Sequence, residues 1–547
     1  GDSLNTHITG SEIGYCYIEN SSGVANRQNS YYSGHIEFGG WSGGSIHHNT
    51  IIDYAAVNEA GIGIKSRNGG MSWNIEVHHN FIICPVSAYR WGTQFTLEFK
   101  DSWGNAQFYN NVLQDGGTSL THGPDGYRAI EGKPNLIFRD NILINTTQPI
   151  ELYTQFAEVY GNYIENYSGS FAVVHTSEMK NMLFHHNILH GKSGSTGINM
   201  KNSDVGISEN INFYNNILRS VDNPFLASNG TSRNINIKNN VFYDCGTLWK
   251  SSNGNSITDV SFDYNLFYSN LGLWSGIQPT FGVNNISGEA PDFLSSGDRF
   301  TEYYQPVENG NLVDAGVDLG DLTAGFSGTA PDIGRFEYGG QELTATNIFM
   351  PTEITIYQDE TKKLLPFLEP WGVSISTVSW ESRNENVVSV DQDGQITSGA
   401  DEGTTYVIAT TANGLSDSTR VTVDNVPLDS LDLSTSFLTL KEGESKDLFV
   451  FFYPRHATDR STVWESEDDQ IVSVAQNGTA SGVSVGECFV YVKSAADNTI
   501  KDSALVKVSM DQLPFAWWKF NNNGNNEIDD SYPADVKYGA NYSTDRV

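Results

Sequence analysis

The segment His48-Asn49-Thr50-Ile51 returns farther along the chain as His79-Asn80-Phe81-Ile82 and as Asn110-Asn111-Val112-Leu113. Each copy holds a polar residue, an asparagine and then two apolar residues. Further copies lie at residues 140–143, 161–164, 186–189, 215–218, 239–242 and 264–267, and Tyr15-Cys16-Tyr17-Ile18 is one more, with a cysteine in the asparagine place. Successive asparagines are about 21 to 31 residues apart, which is the length of one coil in a solenoid of short strands.

Two alternating stretches precede the asparagine in each coil, as in Gly61-Ile62-Gly63-Ile64 and Trp73-Asn74-Ile75-Glu76-Val77. A period of two predicts strands with one apolar row facing inward, so each coil is expected to hold three short strands. An asparagine at a sharp bend can adopt the left-handed conformation and bond its neighbours' backbone. We therefore expect the asparagines to stack into a structural ladder. A leucine-rich repeat has the same period, but its Leu-x-x-Leu-x-Leu frame is missing here.

The repeat region closes with Ala330-Pro331-Asp332-Ile333-Gly334-Arg335-Phe336-Glu337, which is approached through Leu312-Val313-Asp314-Ala315-Gly316. With the asparagine repeat, this ending resembles the pectate-lyase-like family of right-handed parallel β-helices over residues 1–340. The resemblance implies an all-β fold of about ten coils, with a substrate lying along the outside of one sheet between walls of loops. Many activities share this fold, so the fold alone names none of them.

A different repeat begins near residue 344. Thr377-Val378-Ser379-Trp380-Glu381-Ser382 in its first copy corresponds to Thr462-Val463-Trp464-Glu465-Ser466 in its second. Each copy has the length and the short strands of a small β-sandwich, and it resembles the bacterial Ig-like module of invasin-type and carbohydrate-active proteins. We expect Ig-like domains at residues 341–425 and 426–510, acting mainly as spacers.

The tail, residues 511–547, holds Phe515-Ala516-Trp517-Trp518-Lys519-Phe520 and resembles the opening strand of a laminin-G or concanavalin-like jelly roll. So few residues cannot bury a core, and residue 1 falls inside a coil. We therefore expect the chain to be an interior piece of a longer secreted protein.

The chain carries a formal net charge of −34 and has a pI near 4.5. Such a field repels nucleic acid and anionic membrane surfaces, so neither is expected as a partner. No apolar stretch approaches the roughly 20 residues that span a bilayer, which predicts no membrane insertion. The cysteines lie far apart without zinc-site spacing and are expected to be small buried core residues: Cys16, Cys84, Cys245 and Cys488. These features favour an extracellular or cell-surface protein.

Charged and apolar residues alternate on the strands that begin the coils. If the apolar partners face inward, the outward positions hold Glu37, Lys65, Glu98, Lys100 and Glu131, followed by Glu151, Tyr153, His175, Asn199 and Lys201. A lyase acting on an acidic glycan must neutralise a uronate carboxylate, remove the adjacent proton and protonate the leaving oxygen. Such a row suits that chemistry, and it equally suits cross-strand charge pairing on a solvated sheet.

One stretch is similar to the chondroitinase-B and alginate-lyase family: Glu98-Phe99-Lys100-Asp101-Ser102, followed one coil later by Leu120-Thr121-His122-Gly123. By that resemblance, Lys100 takes the catalytic lysine position and His122 the histidine position. Thr121 stands where the family has its catalytic arginine, so Arg128 in the same surface loop is expected to supply the cation. The catalytic candidates are Lys100, His122, Arg128, Glu98 and Glu131. The family's paired Ca²⁺-binding glutamates are unmatched, which leaves Ca²⁺ as a candidate cofactor with no assigned ligands.

Aromatic residues in the first loops are candidate walls for sugar rings, whose C–H faces stack on aromatic side chains. The substrate-binding candidates are therefore Lys65, Glu37, Glu151, Tyr153, His175, Lys201, Trp41, Trp91 and Trp103. Histidine pairs precede three of the ladder asparagines, at residues 47–48, 78–79 and 185–186. Because they recur at one place in the coil, stacked structural histidines explain them better than a metal site does.

We expect a secreted enzyme that degrades a polysaccharide, with a lyase of an acidic glycan as the leading hypothesis. A glycoside hydrolase in the same groove is the second, with two of Glu98, Glu131 and Glu151 as acid and base. Coils about 5 Å apart would bring neighbouring glutamates to a retaining spacing and next neighbours to an inverting one. The third hypothesis is a non-catalytic adhesin or filament component in which the β-helix is a rod.

Overall fold

The computed structural model forms two compact units, Gly1–Val423 and Asp424–Val547. It describes residues 8–9, 12–19, 33–38, 41–52, 59–64, 73–83, 95–99, 106–115, 118–122, 136–152, 156–174, 178–200, 206–227, 230–251, 255–296, 302–340, 343–358, 360–375, 377–424, 428–453 and 457–509.

The first unit contains a right-handed parallel β-helix of three sheets, as the repeat predicted. We number the sheets 1, 2 and 3 in the order in which a coil contributes its strands. Sheet 1 consists of Ser33–Phe38, Glu59–Ile64, Phe95–Phe99, Thr118–His122, Gln148–Leu152, Ser170–Val174, Thr196–Met200, Asn223–Ala227, Thr247–Ser251 and Gly272–Ser275. Sheet 2 consists of Ile8–Thr9, Glu12–Gly14, Trp41–His47, Trp73–His78, Ala106–Tyr109, Leu136–Arg139, Ala157–Tyr160, Glu178–His185, Ile207–Tyr214, Gly230–Lys238, Asn255–Asp263 and Thr280–Phe281. Sheet 3 consists of Tyr17–Glu19, Thr50–Ile52, Phe81–Ile83, Val112–Gln114, Ile142–Ile144, Tyr163–Tyr167, Ile188–Gly191, Ile217–Arg219, Val241–Tyr243, Leu266–Tyr268 and Ile286–Ser287.

The ladder asparagines stack at the turn between sheets 2 and 3, as predicted. Each Nδ2 donates to the Oδ1 of the asparagine one coil later over 2.9 to 3.1 Å, through Asn49, Asn80, Asn111, Asn141, Asn162, Asn187, Asn216, Asn240, Asn265 and Asn285. Asn285 adds one rung that we did not recognise in the sequence. The side chains from Asn49 to Asn265 are fully buried, so they satisfy turn backbone groups that water cannot reach.

The left-handed backbone lies one residue earlier than we expected. Positive φ angles between 53° and 67° occur at the residue before each ladder asparagine from Asn49 to Asn265: His48, His79, Asn110, Asp140, Gly161, His186, Asn215, Asn239 and Tyr264. The described ladder asparagines themselves keep ordinary backbone angles. The preceding polar residue therefore makes the bend, and the asparagine supplies the hydrogen bonds.

Sheet 3 is apolar on both faces. In Thr50–Ile52 and Phe81–Ile83 all three residues are buried. Because successive strand residues point to opposite faces, the outer face must also be covered. Outward residues such as Ile142 and Ile188 share a core cluster with Tyr304, Leu312 and Ile333, so residues 302–340 fold back as an outer layer on this sheet.

The closing segment fixes that layer to the ladder. Arg335 Nη1 donates to the backbone oxygen of Asn162 over 3.3 Å, and Asn215 Nδ2 donates to Gly334 O over 3.0 Å. The Arg335 guanidinium also lies 5.5 Å from the centroid of the Trp371 ring, which belongs to the next module. The closing segment thus belongs to the outer layer of residues 302–340, which we call the strap over sheet 3.

Two β-sandwich modules follow the β-helix. The strands of the first are Asn347–Phe349, Glu353–Tyr357, Thr361–Lys363, Phe367–Glu369, Ser379–Ser382, Val388–Val390, Gln395–Ser398, Gly403–Thr410 and Ser416–Asp424. Those of the second are Ser430–Leu433, Phe437–Lys441, Ser445–Asp447, Val450–Tyr453, Thr462–Ser466, Val472–Val474, Thr479–Gly482, Gly486–Ser494 and Lys501–Ser509. Each module pairs these strands into sheets of four, three and two. Apart from one 3₁₀ turn, Gly320–Leu322, the regular secondary structure of the described residues is all β-strand.

The first module packs on the outer face of sheet 3 and is not a free spacer. Ile52 and Ile83 of the β-helix lie in one core cluster with Ile348 and Ile354 of the module. Thr352 N donates to Thr50 Oγ1 over 2.9 Å across the same interface. This apolar contact explains why the β-helix and the first module form one compact unit.

Two of the cysteines are buried as predicted, Cys245 and Cys488, and Cys84 lies outside the described residues. The prediction is wrong for Cys16, which is exposed. Its backbone N–H donates to Asn49 Oδ1 at 3.0 Å. Among the described residues, Cys16 is therefore the first position of the ladder and is bonded only to the rung of Asn49. The described part of the chain holds no helix with the length and apolarity needed to cross a bilayer.

Candidate functional site on the outer face of sheet 1

One register line of backbone pairs runs across sheet 1 of the β-helix. Its members are Glu37, Gly63, Glu98, Thr121, Glu151, Val173, Asn199, Leu226, Lys250 and Ser275. The flanking row contains Ile150, Ile198 and Trp249, all buried in the interior core. The alternation of the sequence therefore placed Glu37, Glu98, Glu151 and Asn199 in a common row.

Glu98 and Glu151 are two coils apart, as the order Glu98, Glu131, Glu151 predicted. The strand between them is Thr118–His122, however, so Thr121 takes the row position that we expected Glu131 to hold. Adjacent strands are about 4.8 Å apart, which separates the Cα atoms of Glu98 and Glu151 by about 10 Å. Glu98 and Glu151 are therefore not the direct neighbours that a retaining hydrolase requires.

We expected His122 to lie in a surface loop. It is instead the last residue of strand Thr118–His122. Its backbone pairs with Phe99 on one side and Leu152 on the other. Leu152 is fully buried, whereas Glu98 pairs with Thr121. By register, His122 thus belongs to the row next to that of Glu98.

Several candidates come directly after a strand of sheet 1 and lie outside the described residues: Lys65, Lys100, Tyr153, His175 and Lys201. In the sequence, each directly follows the last residue of its strand. Arg128, Glu131, Trp91 and Trp103 are also outside the described residues. Trp41 begins strand Trp41–His47 of sheet 2, so our expectation of a loop position for it is wrong.

The later coils carry a less charged row. Glu151 is half-buried, Val173 is 3% exposed, and Asn199 Nδ2 donates to Ser170 Oγ over 3.1 Å. Lys250, which we did not single out in the sequence, is exposed in the same row. The described side chains therefore offer carboxylate, amide and ammonium groups along one line, with apolar contacts between them.

The histidine pairs form the stacked columns that we predicted. The rings of His47 and His78 stack at 5.1 Å between centroids, and those of His48 and His79 stack at 4.9 Å. Within each pair the two Nδ1 atoms are hydrogen bonded, at 2.8 Å for His47–His48 and 2.7 Å for His78–His79. The first module completes the cluster, because His79 Nε2 lies 2.9 Å from Glu369 Oε1.

This cluster is a poor metal site, although ring nitrogens of His48, His78 and His79 lie within 4.8 Å of one another. The His48 and His79 rings are parallel to within 3°, so their in-plane lone pairs cannot converge on one ion. The Nδ1 atoms are also engaged within the pairs. We therefore interpret these histidines as packing groups of the interface with the module.

Burial lowers the pKa of His48, His78, His79 and His186 and so favours their neutral form. It lowers the pKa of His186 from 6.5 to about 3, with smaller contributions from the positive charges of His185 and Arg335. Burial likewise lowers the pKa of His48 to about 4 and that of His78 to about 3.

The pH dependence of stability follows from these shifts. A pKa below the unfolded value means that stability is complete above pH 6.5 and is lost as the pH falls toward 3, because the unfolded chain takes up protons first. Replacing His186 with Asn, which tolerates its φ of 53°, should remove about 1 to 2 kcal/mol of the stability difference between pH 7 and pH 5. Urea titrations of both proteins at the two pH values measure this difference, and an unchanged difference in the variant would contradict it.

The strap contains a pair of carboxyl groups, Asp332 and Glu337, that we did not recognise in the sequence. Asp332 is fully buried and accepts hydrogen bonds from the backbone N–H groups of Asp314 and Tyr338, at 2.7 and 2.6 Å. Burial raises the pKa of Glu337 to about 7, and the Asp332 backbone N–H donates to it over 3.1 Å. These carboxyl groups close turns of the strap on sheet 3, away from the sheet 1 row.

Comparison with known proteins identifies the modules. Residues 344–423 and 427–503 match the family model of the bacterial Ig-like domain (group 2). An uncharacterized protein of Clostridium acetobutylicum is 28% identical over 149 residues, which cover 26% of this chain and 15% of that protein. Ice-binding protein 1 of Shewanella frigidimarina is 26% identical over 144 residues, covering 25% of this chain and 16% of that protein. The chain thus spans about one sixth of the length of these relatives.

Among solved structures, domains 4 and 5 of the S-layer protein SbsC match with a TM-score of 0.21 and 18% identity, over 31% of this chain and 99% of that one. Drosophila N-cadherin EC1-4 matches with a TM-score of 0.15 and 14% identity, over 30% of this chain and 49% of that one. Scores this low support no conclusion about function. The two sandwich modules are, by the family match, similar to bacterial Ig-like domains of group 2, as the sequence repeat predicted.

Proposed function

We propose that this protein acts outside the cell or at its surface, and that it binds a polysaccharide along the outer row of sheet 1. The observation that carries the proposal is the single register line that joins Glu37, Glu98, Glu151, Asn199 and Lys250. An extended row of hydrogen-bonding groups on a rigid sheet matches an extended ligand with many hydroxyl groups.

The covering of the other faces supports the choice of sheet 1. Residues 302–340 and the first module lie against sheet 3, and its outer side chains are buried there. On sheet 2, outward charges pair with one another, as where Arg233 donates to Glu209 over 2.8 Å. In the sequence, strands of sheet 1 are each followed directly by a candidate site residue: Lys65, Lys100, Tyr153, His175 and Lys201.

A polysaccharide lyase is the second candidate function. Strands Phe95–Phe99 and Thr118–His122 are direct neighbours, and His122 pairs with Phe99, the residue before Lys100. In the sequence, Lys100 directly follows Phe99, and we propose that this lysine acts together with His122. These are residue types that can remove a proton beside a uronate carboxylate and protonate the leaving oxygen.

Both functions are tested with alginate, pectin, chondroitin and sulfated algal glycans. We expect the chain to be retarded in gels containing one of these glycans, and Lys250→Ala to weaken that binding about tenfold, or ~1.4 kcal/mol, because it removes an exposed cation from the row. Arg233→Ala on sheet 2 is the matched control and should bind as the parent chain does. Equal binding by both variants, or no binding to any glycan, would exclude the sheet 1 row.

The catalytic candidate has its own measurement in the same incubations. Accumulating absorbance from unsaturated sugar ends means elimination, and Lys100→Ala and His122→Ala should then abolish it. New reducing ends without that absorbance mean hydrolysis. Binding without new ends of either kind leaves the protein a non-catalytic surface component.

A further inference from the structure

The second module exposes a row of aromatic side chains. Phe449, Phe451 and Tyr453 are 64%, 49% and 45% exposed, and they alternate with Val450 and Phe452, which pack on the module core. Alternate residues of a strand are about 7 Å apart on one face, so the three rings span a platform of about 13 Å. Three large exposed rings, on strand Val450–Tyr453 and the residue before it, are more than the isolated exposed apolar residues of an ordinary surface.

The first module uses the equivalent positions for docking. The two modules are aligned by the same hydrogen bond, from Leu364 N to Gly394 O over 2.9 Å and from Leu448 N to Gly478 O over 3.0 Å. In each module the row begins one residue after this leucine. In the first module the row is Leu365, Phe367 and Glu369. There Leu365 and Phe367 are buried with the outer residues of sheet 3, and Glu369 bonds His79.

The neighbouring strand distinguishes the two surfaces. Opposite Phe367 in the first module stands Phe349, which packs against the histidine stacks. Opposite Phe451 in the second module stands Asp432, and opposite Tyr453 stands Ser430, both exposed. Seating this surface on an apolar sheet would bury the Asp432 carboxylate without a partner, which is costly.

We propose that Phe449, Phe451 and Tyr453, with Asp432 and Ser430 beside them, bind a neutral polysaccharide. The C–H faces of sugar rings stack on the aromatic row, and sugar hydroxyls donate to the Asp432 carboxylate and exchange hydrogen bonds with Ser430. The ligand is neutral because the exposed Asp432 carboxylate beside the aromatic row repels an acidic chain. This site is separate from the sheet 1 row and does not depend on it.

The test is affinity electrophoresis of the whole chain in gels that contain hydroxyethylcellulose, galactomannan or alginate. We expect retardation by a neutral polymer, and about tenfold weaker binding, ~1.4 kcal/mol, for Phe451→Ala. The matched control is Phe489→Ala, an exposed aromatic on strand Gly486–Ser494 of the four-stranded sheet, which should bind as the parent does. Retardation by alginate should be the same in all three proteins, which separates this site from that of the β-helix.

Three results would overturn the proposal. The parent chain could pass every neutral gel without retardation, or both variants could lose binding equally, which would mean non-specific adhesion. Alternatively, Phe451→Ala could keep full polysaccharide binding while light scattering shows that it abolishes a dimer of the parent chain. In that case a second copy of the chain, rather than a glycan, covers the aromatic row.

Discussion

Replacing Asn162 with Ala is expected to lower the free energy of unfolding of the β-helix by about 3 to 5 kcal/mol, a loss at the upper end of single substitutions. Its Nδ2 donates to Phe138 O, Tyr160 O and Asn187 Oδ1, each at a distance of 2.9 Å. Its Oδ1 accepts a hydrogen bond from Asn141. Alanine removes all of these bonds and takes the acceptor from the buried Asn141 backbone N–H, whereas Tyr160 O keeps its bond from Asp140 N and Asn187 Oδ1 keeps its bond from Asn162 N. Each buried group that loses its partner costs about 1 to 3 kcal/mol. Urea unfolding followed by far-ultraviolet circular dichroism measures the change.

The control for the ladder is Asn284→Ala, next to the last rung. Asn284 is exposed, and its side chain donates one bond to Asp263 over 3.1 Å, so its loss should cost no more than about 0.5 kcal/mol. Equal unfolding midpoints for the two variants would show that the ladder is not a major source of stability.

Phe367→Ala is expected to weaken the attachment of the first module to the β-helix by about 3 to 5 kcal/mol. Phe367 is 1% exposed, and its ring contacts those of His79 and Trp371, with centroids 5.4 and 5.6 Å apart. Removing it opens a cavity between two rigid sheets that cannot collapse around the gap. Urea unfolding should then separate into two transitions, and protease should cut the connection near residue 341 faster.

The second module supplies the matched control. Phe451 is the residue equivalent to Phe367, and it is 49% exposed, so Phe451→Ala should change the stability by no more than about 0.5 kcal/mol. A single cooperative transition in Phe367→Ala, at the parent midpoint, would mean that the interface contributes little to the folded state.

The sheet 1 row was partly predictable. Alternation of period two in the strands placed Glu37, Glu98 and Glu151 on one side, and the register confirms a common row. The identity of the strand between Glu98 and Glu151 was not predicted. We expected that strand to hold Glu131, whereas it is Thr118–His122, whose last two residues we had assigned to a surface loop. This strand is fixed by backbone pairing to both neighbours, which no local pattern reports.

The covered face of sheet 3 left a signal that we did not use. Two adjacent apolar residues after each ladder asparagine must point to opposite faces of the strand. A strand with one solvated face needs an apolar side chain only on its other face. The apolar pair therefore indicates that both faces of sheet 3 are covered. What that layer consists of, the strap of residues 302–340 and the first module, could not be inferred from the repeat.

The amino-acid sequence by itself determined the coil, the asparagine ladder and the two sandwich modules, because each depends on residues that are close in the chain or repeat at a regular interval. Tertiary structure alone decided which faces are covered and which modules are docked. Equivalent strands of the two modules carry similar apolar residues, yet Phe367 is buried against the β-helix and Phe451 is exposed. Burial depends on what a face meets in space, and that partner lies hundreds of residues away in the sequence, as Glu369 does from His79.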